Sequence, residues 1–362
     1  MVWYLLNVSL LIIIYLWPER TEQVSDGYQI SKKKRKVICV VETITLALLS
    51  GLRHISIGPD TETYGIMFDR VKGQSWATLL RNFRLGYLSS VDISRDPGYP
   101  IFEKLVQMFT DEYQWFLMVI AALFFVALGV FIYRFSSNPL ISYILFICLF
   151  FSFFGTTGHR QTVATAIIVL CGAIFIEKKK FFPFLILAFL ASTLHMSSLC
   201  ILPFYFMSRI KINKASLATY WIAIAGSFIL RNQLLEFLQS LIGYENYQEH
   251  EGVTAGTFVY LLLALGIIVT LFHKKLLEAN PKTMPMAINA TMIACFFVPL
   301  MLINPTIIRI VFYFALYLML ILPELGKIFS KEGDRKIYRM AVVITLIALY
   351  ILNEPKYLFF WQ

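Results

Sequence analysis

The polar residues best suited to chemistry in this sequence stand beside apolar runs. The stretch TTGHRQTVATAI (156–167) places His159, Arg160 and Gln161 side by side within a long apolar region. An arginine offers a planar fork of donors that can hold a phosphate group by two hydrogen bonds at once. A helix beginning here would also direct its positive N-terminal dipole at an anion, and Gln161 would add a neutral donor. These residue types indicate recognition of an anionic group.

Two further arginines stand at comparable places. Arg53 follows an apolar run in SGLRHISIGPDTETY, and Arg309 begins one in NPTIIRIVFYF. The alternative for each is an arginine that extends its charge to the membrane interface and only anchors a helix end. Three arginines at one depth favour a shared site over three separate anchors.

His195 is the other ionisable group inside an apolar run, in LASTLHMSSLC. Its imidazole could act as a general base near neutral pH, or it could simply form an interhelical hydrogen bond to Ser192 or Ser198. The sequence shows no serine–histidine–acid order, no metal-ligand spacing and no glycine-rich nucleotide loop. Covalent and nucleotide-dependent chemistries are therefore disfavoured, and no metal or cofactor is called for.

A polar segment after the second apolar run holds four more candidates. Asp60 is predicted to cap a helix that carries Tyr64 one turn later, and Asp96 and Tyr99 lie in a turn before an amphipathic stretch. Carboxylates beside tyrosines also hold sugar hydroxyls and ring faces. Helix capping or a turn, and sugar binding, both remain open for the two aspartates.

Composition defines the surroundings of these residues. The chain has 362 residues, of which 58% are hydrophobic and only 15% are charged. Soluble domains carry about 25% charged residues, whereas apolar runs near the roughly 20 residues that cross a bilayer recur along this chain. Backbone groups in lipid must be satisfied within each segment, so we predict an all-α polytopic membrane protein. The five cysteines lie in apolar runs without paired spacing and predict neither disulfides nor a metal site.

Clusters of lysine and arginine predict the topology. Loops such as KKKRK (32–36) and RIKINK (209–214) are expected in the cytoplasm, which leaves both termini and the large segment 53–112 outside. The short stretch between EKKK (177–180) and RIKINK is expected to form a hairpin or a re-entrant pair with His195 at its apex. We predict one polytopic domain, 1–362, with about twelve spanning or part-spanning segments: 2–17, 37–52, 113–133, 139–155, 161–176, 181–194, 196–208, 215–231, 257–272, 285–303, 307–325 and 340–353.

Lysine and arginine are distributed unequally between the predicted sides. The inner segments hold 15 Lys and 6 Arg, whereas the outer segments hold 3 Lys and 8 Arg. Topology requires only charge, which lysine supplies equally well, so the outer preference for arginine indicates phosphate recognition. The net charge of +10 comes from the inner loops facing an anionic leaflet and is not a sign of nucleic-acid binding.

Five stretches together resemble a known family. GLRHISIGPDTETY, GYPIFEKLVQ, GHRQTVATAI, LHMSSLCILP and RIVFYF follow, in order and over nearly the whole chain, the pattern of the EpsG family of bacterial exopolysaccharide proteins, which is similar to the Wzy-type polysaccharide polymerases. The resemblance implies a GT-C-like membrane enzyme that joins lipid-linked repeat units at the outer face of the bacterial cytoplasmic membrane. Proline in RDPGYP departs from the family's usual approach to this helix, so the family's roles for Asp96 and Tyr99 are less firmly implied.

The residues and the resemblance together define the candidate site. The candidate catalytic residues are His195, Asp60, Arg160 and Arg309, and the candidate substrate-binding residues are Arg53, Tyr64, Arg95, Asp96, Tyr99, His159, Gln161 and Tyr313. The acidic loop YENYQEHEG (244–252) is a weaker candidate for a lid over the site.

The expected substrate is a polyprenyl-diphosphate-linked oligosaccharide, with membrane lipid and other polysaccharide-assembly proteins as candidate partners. Two alternatives stay open. A lipid-linked oligosaccharide flippase would also need interior arginines, although the sequence lacks the repeated halves typical of transporters. A membrane O-acyltransferase acting on the polymer would also centre on an intramembrane histidine, although its acyl donor would arrive from the cytoplasmic side.

Overall fold

The described part of the protein consists of helices. The structure, a computed structural model, describes residues 2–17, 30–88, 96–242, 256–352 and 357–362. Within these ranges there is no β-strand, and one isolated antiparallel bridge joins Arg53 to Phe359 near the end of the chain. The predicted all-α class is confirmed.

Two helices precede the predicted outer segment, three lie within it, and seven follow before the cationic loop at 209–214. They are α1 (Val2–Leu16), α2 (Lys32–Gly51), α3 (Thr61–Lys72), α4 (Trp76–Leu88), α5 (Gly98–Gln107), α6 (Tyr113–Phe135), α7 (Pro139–Leu149), α8 (Phe151–Phe154), α9 (His159–Thr165), α10 (Gly172–Glu177), α11 (Phe181–Leu194) and α12 (Phe204–Met207). A π-helical segment, Ala166–Cys171, joins α9 to α10, and a 3-10 segment, Met196–Ile201, follows α11.

Eight further helices follow the cationic loop in the part of the chain that the structure describes. They are α13 (Lys214–Ile229), α14 (Arg231–Ile242), α15 (Gly256–Ala279), α16 (Met284–Phe296), α17 (Val298–Met301), α18 (Ile308–Ala315), α19 (Leu318–Leu325) and α20 (Glu332–Leu352). Short 3-10 segments at Pro305–Ile307 and Gly326–Ile328 lie before α18 and after α19.

Only some helices are long and apolar enough to cross a bilayer. Among the described residues, four pass that test: Tyr113–Phe135, His159–Glu177, Gly256–Ala279 and Met284–Met301. A fifth would be the pair Pro305–Ala315 and Leu318–Ile328, which is bent by 57°. Every predicted span does overlap helix, but many of these helices are short or interrupted. A membrane protein with several candidate spans is supported, whereas the predicted count of about twelve is not confirmed.

Two of the helix breaks lie at a glycine, which weakens a helix, and at a polar residue. Helix α9 begins after Gly158, whose φ of +55° is a left-handed conformation that glycine adopts without strain. Helix α11 ends at Leu194, and His195 is extended before the chain continues as the 3-10 segment. That segment contacts α11, and whether the two form a hairpin or a re-entrant pair stays a prediction. Irregular backbone of this kind is tolerated at membrane depth only inside protein or beside a cavity.

Helix α5 is the element that brings the predicted outer segment against the membrane helices. It packs against α3, α4, α6 and α11. A Cβ atom at Gly98 would lie 2.9 Å from the carbonyl oxygen of Thr193, so only glycine allows the start of α5 to approach the end of α11 this closely. This contact places residues just before α5 beside those just after α11. The outward orientation of the segment 53–112 stays a prediction.

Candidate functional site

Asp96 is the centre of the candidate site, whereas the sequence left it as either a turn residue or a sugar-binding residue. It is 6% exposed, and its side chain accepts three hydrogen bonds from other elements. Oδ2 accepts from Arg160 Nη1 at 3.2 Å and lies 3.3 Å from His195 Nδ1, while Oδ1 accepts from the backbone N–H of Met196 at 2.9 Å. The Asp96 carboxylate therefore contacts both Arg160, the predicted anion-binding cation, and His195, the predicted base.

The ionisation of Asp96 determines which ring nitrogen of His195 donates to it. Burial alone would raise the pKa of the Asp96 carboxyl, but the hydrogen bond from His195 and the positive charges beside it bring the pKa below its usual value. An ionised carboxylate can only accept hydrogen bonds, so His195 must donate through Nδ1. In the neutral imidazole Nε2 then carries the free lone pair, and it is buried without a partner among the described residues. His195 contacts Asp96 instead of the serines considered in the sequence.

Arg160 lies between two tyrosine rings beside this carboxylate. Its guanidinium carbon is 5.5 Å from the ring centre of Tyr64 and 5.2 Å from that of Tyr99, distances at which the ring faces attract a cation. One nitrogen donates to Asp96 and another contacts the sulfur of Met67 at 3.2 Å. The Nε–H has no partner in the described ranges, and the side chain keeps 23% of its surface exposed. The guanidinium is thus held in place while part of it stays available.

Tyr64 is packed against His159, which in turn contacts Arg53 and Tyr113. Its ring stacks on His159 with ring centres 4.5 Å apart. His159 in turn contacts Arg53 through Nε2 at 2.7 Å and the hydroxyl of Tyr113 through Nδ1 at 3.4 Å. Arg53 is only 2% exposed and also donates to the carbonyl of Ser50. His159 and Arg53 position the tyrosine, and a direct substrate contact by either residue stays a prediction.

The start of α9 is hydrogen-bonded to α18, which carries Arg309 and Tyr313. The Gln161 side-chain amide donates to the backbone carbonyl of Arg309 at 2.6 Å, which fixes α18 against α9. The hydroxyl of Tyr313 lies 3.0 Å from that of Ser197, next to the His195 break. Arg309 is half-buried, and its charge acts on Tyr64 together with that of Arg160. The charges of arginines from two separate helices therefore act on one tyrosine.

Asp60 differs from its sequence-based interpretation as a helix cap. It occupies the position before α3, but its side chain makes no capping hydrogen bond and instead accepts from the hydroxyl of Thr157 at 3.1 Å. The expected side-chain cap is therefore wrong, because the hydroxyl before α9 supplies a donor in its place. Arg95 and the acidic loop 244–252 lie outside the described residues.

Sequence reasoning missed Glu103, which lies next to Arg160 in the fold. It is 1% exposed, and its Oε1 has no partner among the described residues. Glu103 follows Tyr99 by four positions, so the two side chains share one face of α5. The available sequence signal was this four-residue spacing from Tyr99, which was already a candidate residue.

No group of three or more His, Cys, Asp or Glu side chains in the described ranges could hold a metal ion. A search of curated proteins and a search of solved structures each found no match to this chain. The family model described as "EpsG family" matches residues 36–358, which is nearly the whole chain and includes every residue of the site. The chain therefore belongs to the EpsG family, as the five sequence stretches indicate, and is an exopolysaccharide-related membrane protein.

Proposed function

We propose that this protein polymerises repeat units of an exopolysaccharide by glycosyl transfer between polyprenyl-diphosphate-linked oligosaccharides. The observation that carries the proposal is the cluster in which Asp96 holds both Arg160 and His195. Its geometry supplies an oriented proton acceptor and a partly exposed guanidinium side by side. The reaction needs both, one for the attacking hydroxyl and one for the departing diphosphate.

The acceptor half of the reaction uses His195. A sugar hydroxyl of one lipid-linked unit attacks the anomeric carbon of another, and its proton passes to Nε2 of His195. The new positive charge on the imidazole is stabilised by the ionised Asp96 on the opposite nitrogen, the arrangement by which a buried aspartate orients a catalytic histidine in serine proteases. Asp60 remains the alternative acceptor.

The donor half of the reaction uses Arg160. As the bond from the anomeric carbon to the diphosphate oxygen breaks, negative charge develops on that oxygen and leaves with the polyprenyl diphosphate. A guanidinium held in place before the reaction stabilises this charge without having to reorganise, and one such contact commonly lowers a barrier by about 3–4 kcal/mol. Arg309, whose charge acts on the same tyrosine, would bind the second phosphate.

The membrane provides the substrate. The lipid tails are proposed to enter sideways between helices, while the sugars occupy the segment formed by α3, α4 and α5. In this proposal the site faces outward from the bacterial cytoplasmic membrane, which the lysine-rich loops on the opposite side support. No nucleotide sugar is required, because the diphosphate-linked unit is already activated.

Deleting the gene tests the proposal. We expect loss of long polymer, while single lipid-linked units still reach the outer face. Purified protein in lipid vesicles should then convert units extracted from the deletion strain into a ladder of longer products. Units trapped on the inner face would instead identify a flippase, and full-length polymer lacking acyl groups would identify an O-acyltransferase. Either result would contradict the proposal.

A further inference from the structure

A cavity of about 190 Å³ opens beside the Arg160–Asp96–His195 cluster. Residues of α3, α4 and α5 line it together with Arg160, so the cavity shares this guanidinium with the site described above. His195 and Asp96 are not part of its lining. The cavity therefore meets the cluster at Arg160.

Three side chains in the cavity lining leave buried polar atoms without partners among the described residues. They are the Tyr99 hydroxyl, Glu103 Oε1 and Arg160 Nε. Most buried polar atoms in proteins are hydrogen-bonded, and leaving one unpaired costs about 1–3 kcal/mol. Three such atoms around one cavity indicate that a ligand supplies the missing hydrogen bonds.

The state of Glu103 restricts the chemistry of that ligand. Burial raises the pKa of the Glu103 carboxyl to about 8, although the Arg160 charge lowers it in part. Burial and the nearby Glu103 also keep the pKa of Tyr99 well above its usual range. At neutral pH the carboxyl is protonated. A protonated carboxyl can donate one hydrogen bond and accept another. Next to the Tyr99 hydroxyl, it suits a ligand that is rich in hydroxyl groups.

The size and the rim of the cavity agree with this chemistry. A volume of about 190 Å³ corresponds to about six water molecules, which is room for one sugar ring. The side-chain amides of Gln74 and Asn82 add hydrogen-bonding groups to the lining, and Arg70 contributes a further charge. A lipid tail would leave all of these polar groups unsatisfied.

We propose that this cavity binds the sugar ring joined directly to the diphosphate of the donor, with Glu103 as the residue that selects that sugar. The position follows from Arg160, which would contact the diphosphate on one side and lines the cavity on the other. The inference rests on the proposed function and adds the identity of one subsite. It makes Glu103 a specificity-determining residue that does not take part in proton transfer.

The test measures saturation-transfer NMR of purified protein in nanodiscs with methyl glycosides of glucose, galactose, rhamnose, fucose, N-acetylglucosamine and N-acetylgalactosamine. At least one glycoside should bind the wild-type protein. Glu103→Leu should weaken that binding by about tenfold or more, because a buried hydroxyl partner is lost, whereas Glu103→Gln should retain it within about threefold. Glu112→Leu is the matched control, because Glu112 is exposed at the start of α6 and does not line the cavity.

The pH dependence gives a second readout. Wild-type binding should decline as the pH rises through about 8, because ionised Glu103 loses its donor, and Glu103→Gln should show no such decline. The other charged or titratable groups near Glu103 are Arg160, Arg70, Tyr99 and Tyr113. A decline that persists in Glu103→Gln would assign the titration to one of these and contradict the proposal.

Two results would overturn the subsite. One is the absence of saturation transfer from every glycoside, and the other is unchanged binding in Glu103→Leu. If that variant does not fold, Asn82→Trp obstructs the cavity from a half-buried position and should abolish binding, so retained binding there would also overturn the proposal. The vesicle polymerisation assay separates the two claims: polymerisation without glycoside binding removes only the subsite, whereas glycoside binding without polymerisation removes only the proposed function.

Discussion

Replacing Asp96 by asparagine is the most direct test of the site, because this one carboxylate holds both reacting groups. Its two oxygens accept from Arg160, His195 and the Met196 backbone. Asparagine is nearly identical in shape but offers one accepting oxygen and one donating NH₂ group. If the oxygen faces Arg160 and His195, the NH₂ group meets the N–H of Met196. If the amide turns round, the two side chains lose their acceptor.

The size of the effect follows from this mismatch. A preorganised contact to a charge that develops in the reaction is commonly worth about 3–4 kcal/mol of barrier, and each 1.36 kcal/mol on a barrier is tenfold in rate. An NH₂ group beside Nδ1 also favours the tautomer with the proton on Nε2, which cannot accept a proton from a sugar hydroxyl. The corresponding change in serine proteases lowers kcat by about 10⁴-fold. For Asp96→Asn we expect a polymerisation rate lower by about 10²–10⁴-fold.

The assay is the rate of ladder formation from lipid-linked units in vesicles, with kcat and KM determined separately. The loss should fall mainly on kcat, because proton transfer is affected more than substrate binding. Asp69→Asn is the control, since Asp69 pairs with Lys72 at the surface with a side chain that is 66% exposed. Such pairs contribute only about 0–1 kcal/mol to stability, so that variant should stay near the wild-type rate. An Asp96→Asn enzyme within about threefold of wild type would refute the role of the cluster.

Three further predictions address the remaining parts of the site. Arg160→Lys keeps the charge but loses the planar fork of donors, so the polymerisation rate should fall by about a hundred- to a thousandfold. The control Arg231→Lys should have little effect, and equal tolerance of both variants in the vesicle assay would exclude phosphate binding by Arg160. His195→Ala should abolish polymerisation yet bind lipid-linked substrate with stability within about 1–2 kcal/mol of wild type, and near-normal polymer length would move the proton acceptor elsewhere. In a cysteine-free background, an impermeant thiol reagent should label a cysteine at position Thr157 and spare one at Ser330 in intact cells, whereas the reverse pattern would end the outward-facing mechanism.

The sequence was most informative where chemistry is local. Arg160 and His195 stand out because a charge or an imidazole inside an apolar run requires an explanation whatever the fold. The link between them could not be predicted, since Asp96 is 64 residues from Arg160 and 99 from His195 in the chain. An aspartate before a proline, such as Asp96 before Pro97, is a common turn residue. No local pattern distinguishes that role from the one seen in the fold, where Asp96 joins Arg160 to His195. The contact depends on the close approach at Gly98, which is a tertiary feature.

The predicted span count was not confirmed, for a related physical reason. Hydropathy identifies apolar segments, and every predicted segment does contain helix. It does not reveal whether a segment is one continuous helix, because a break such as the 57° bend between α18 and α19, inside the predicted span 307–325, leaves the composition unchanged. The structure instead divides several predicted spans into shorter helices, with 3-10 segments at Met196–Ile201 and Pro305–Ile307, whereas the π-helical segment Ala166–Cys171 lies within one continuous candidate span. Length decides whether a helix can cross a bilayer, so the number of crossings cannot follow from composition alone.

These breaks also explain why the candidate residues meet. Helix α9 begins after Gly158, α11 ends before His195, and α18 begins after the 3-10 segment Pro305–Ile307. A helix end leaves backbone groups unsatisfied, which is costly in lipid unless polar side chains or water surround it. Ends that must be surrounded by polar groups favour one common location, and the same polar surroundings allow ionisable side chains to remain charged there. The hydrogen bond that the Met196 N–H donates to Asp96 illustrates this, because one carboxylate satisfies a broken helix and orients two candidate reacting groups.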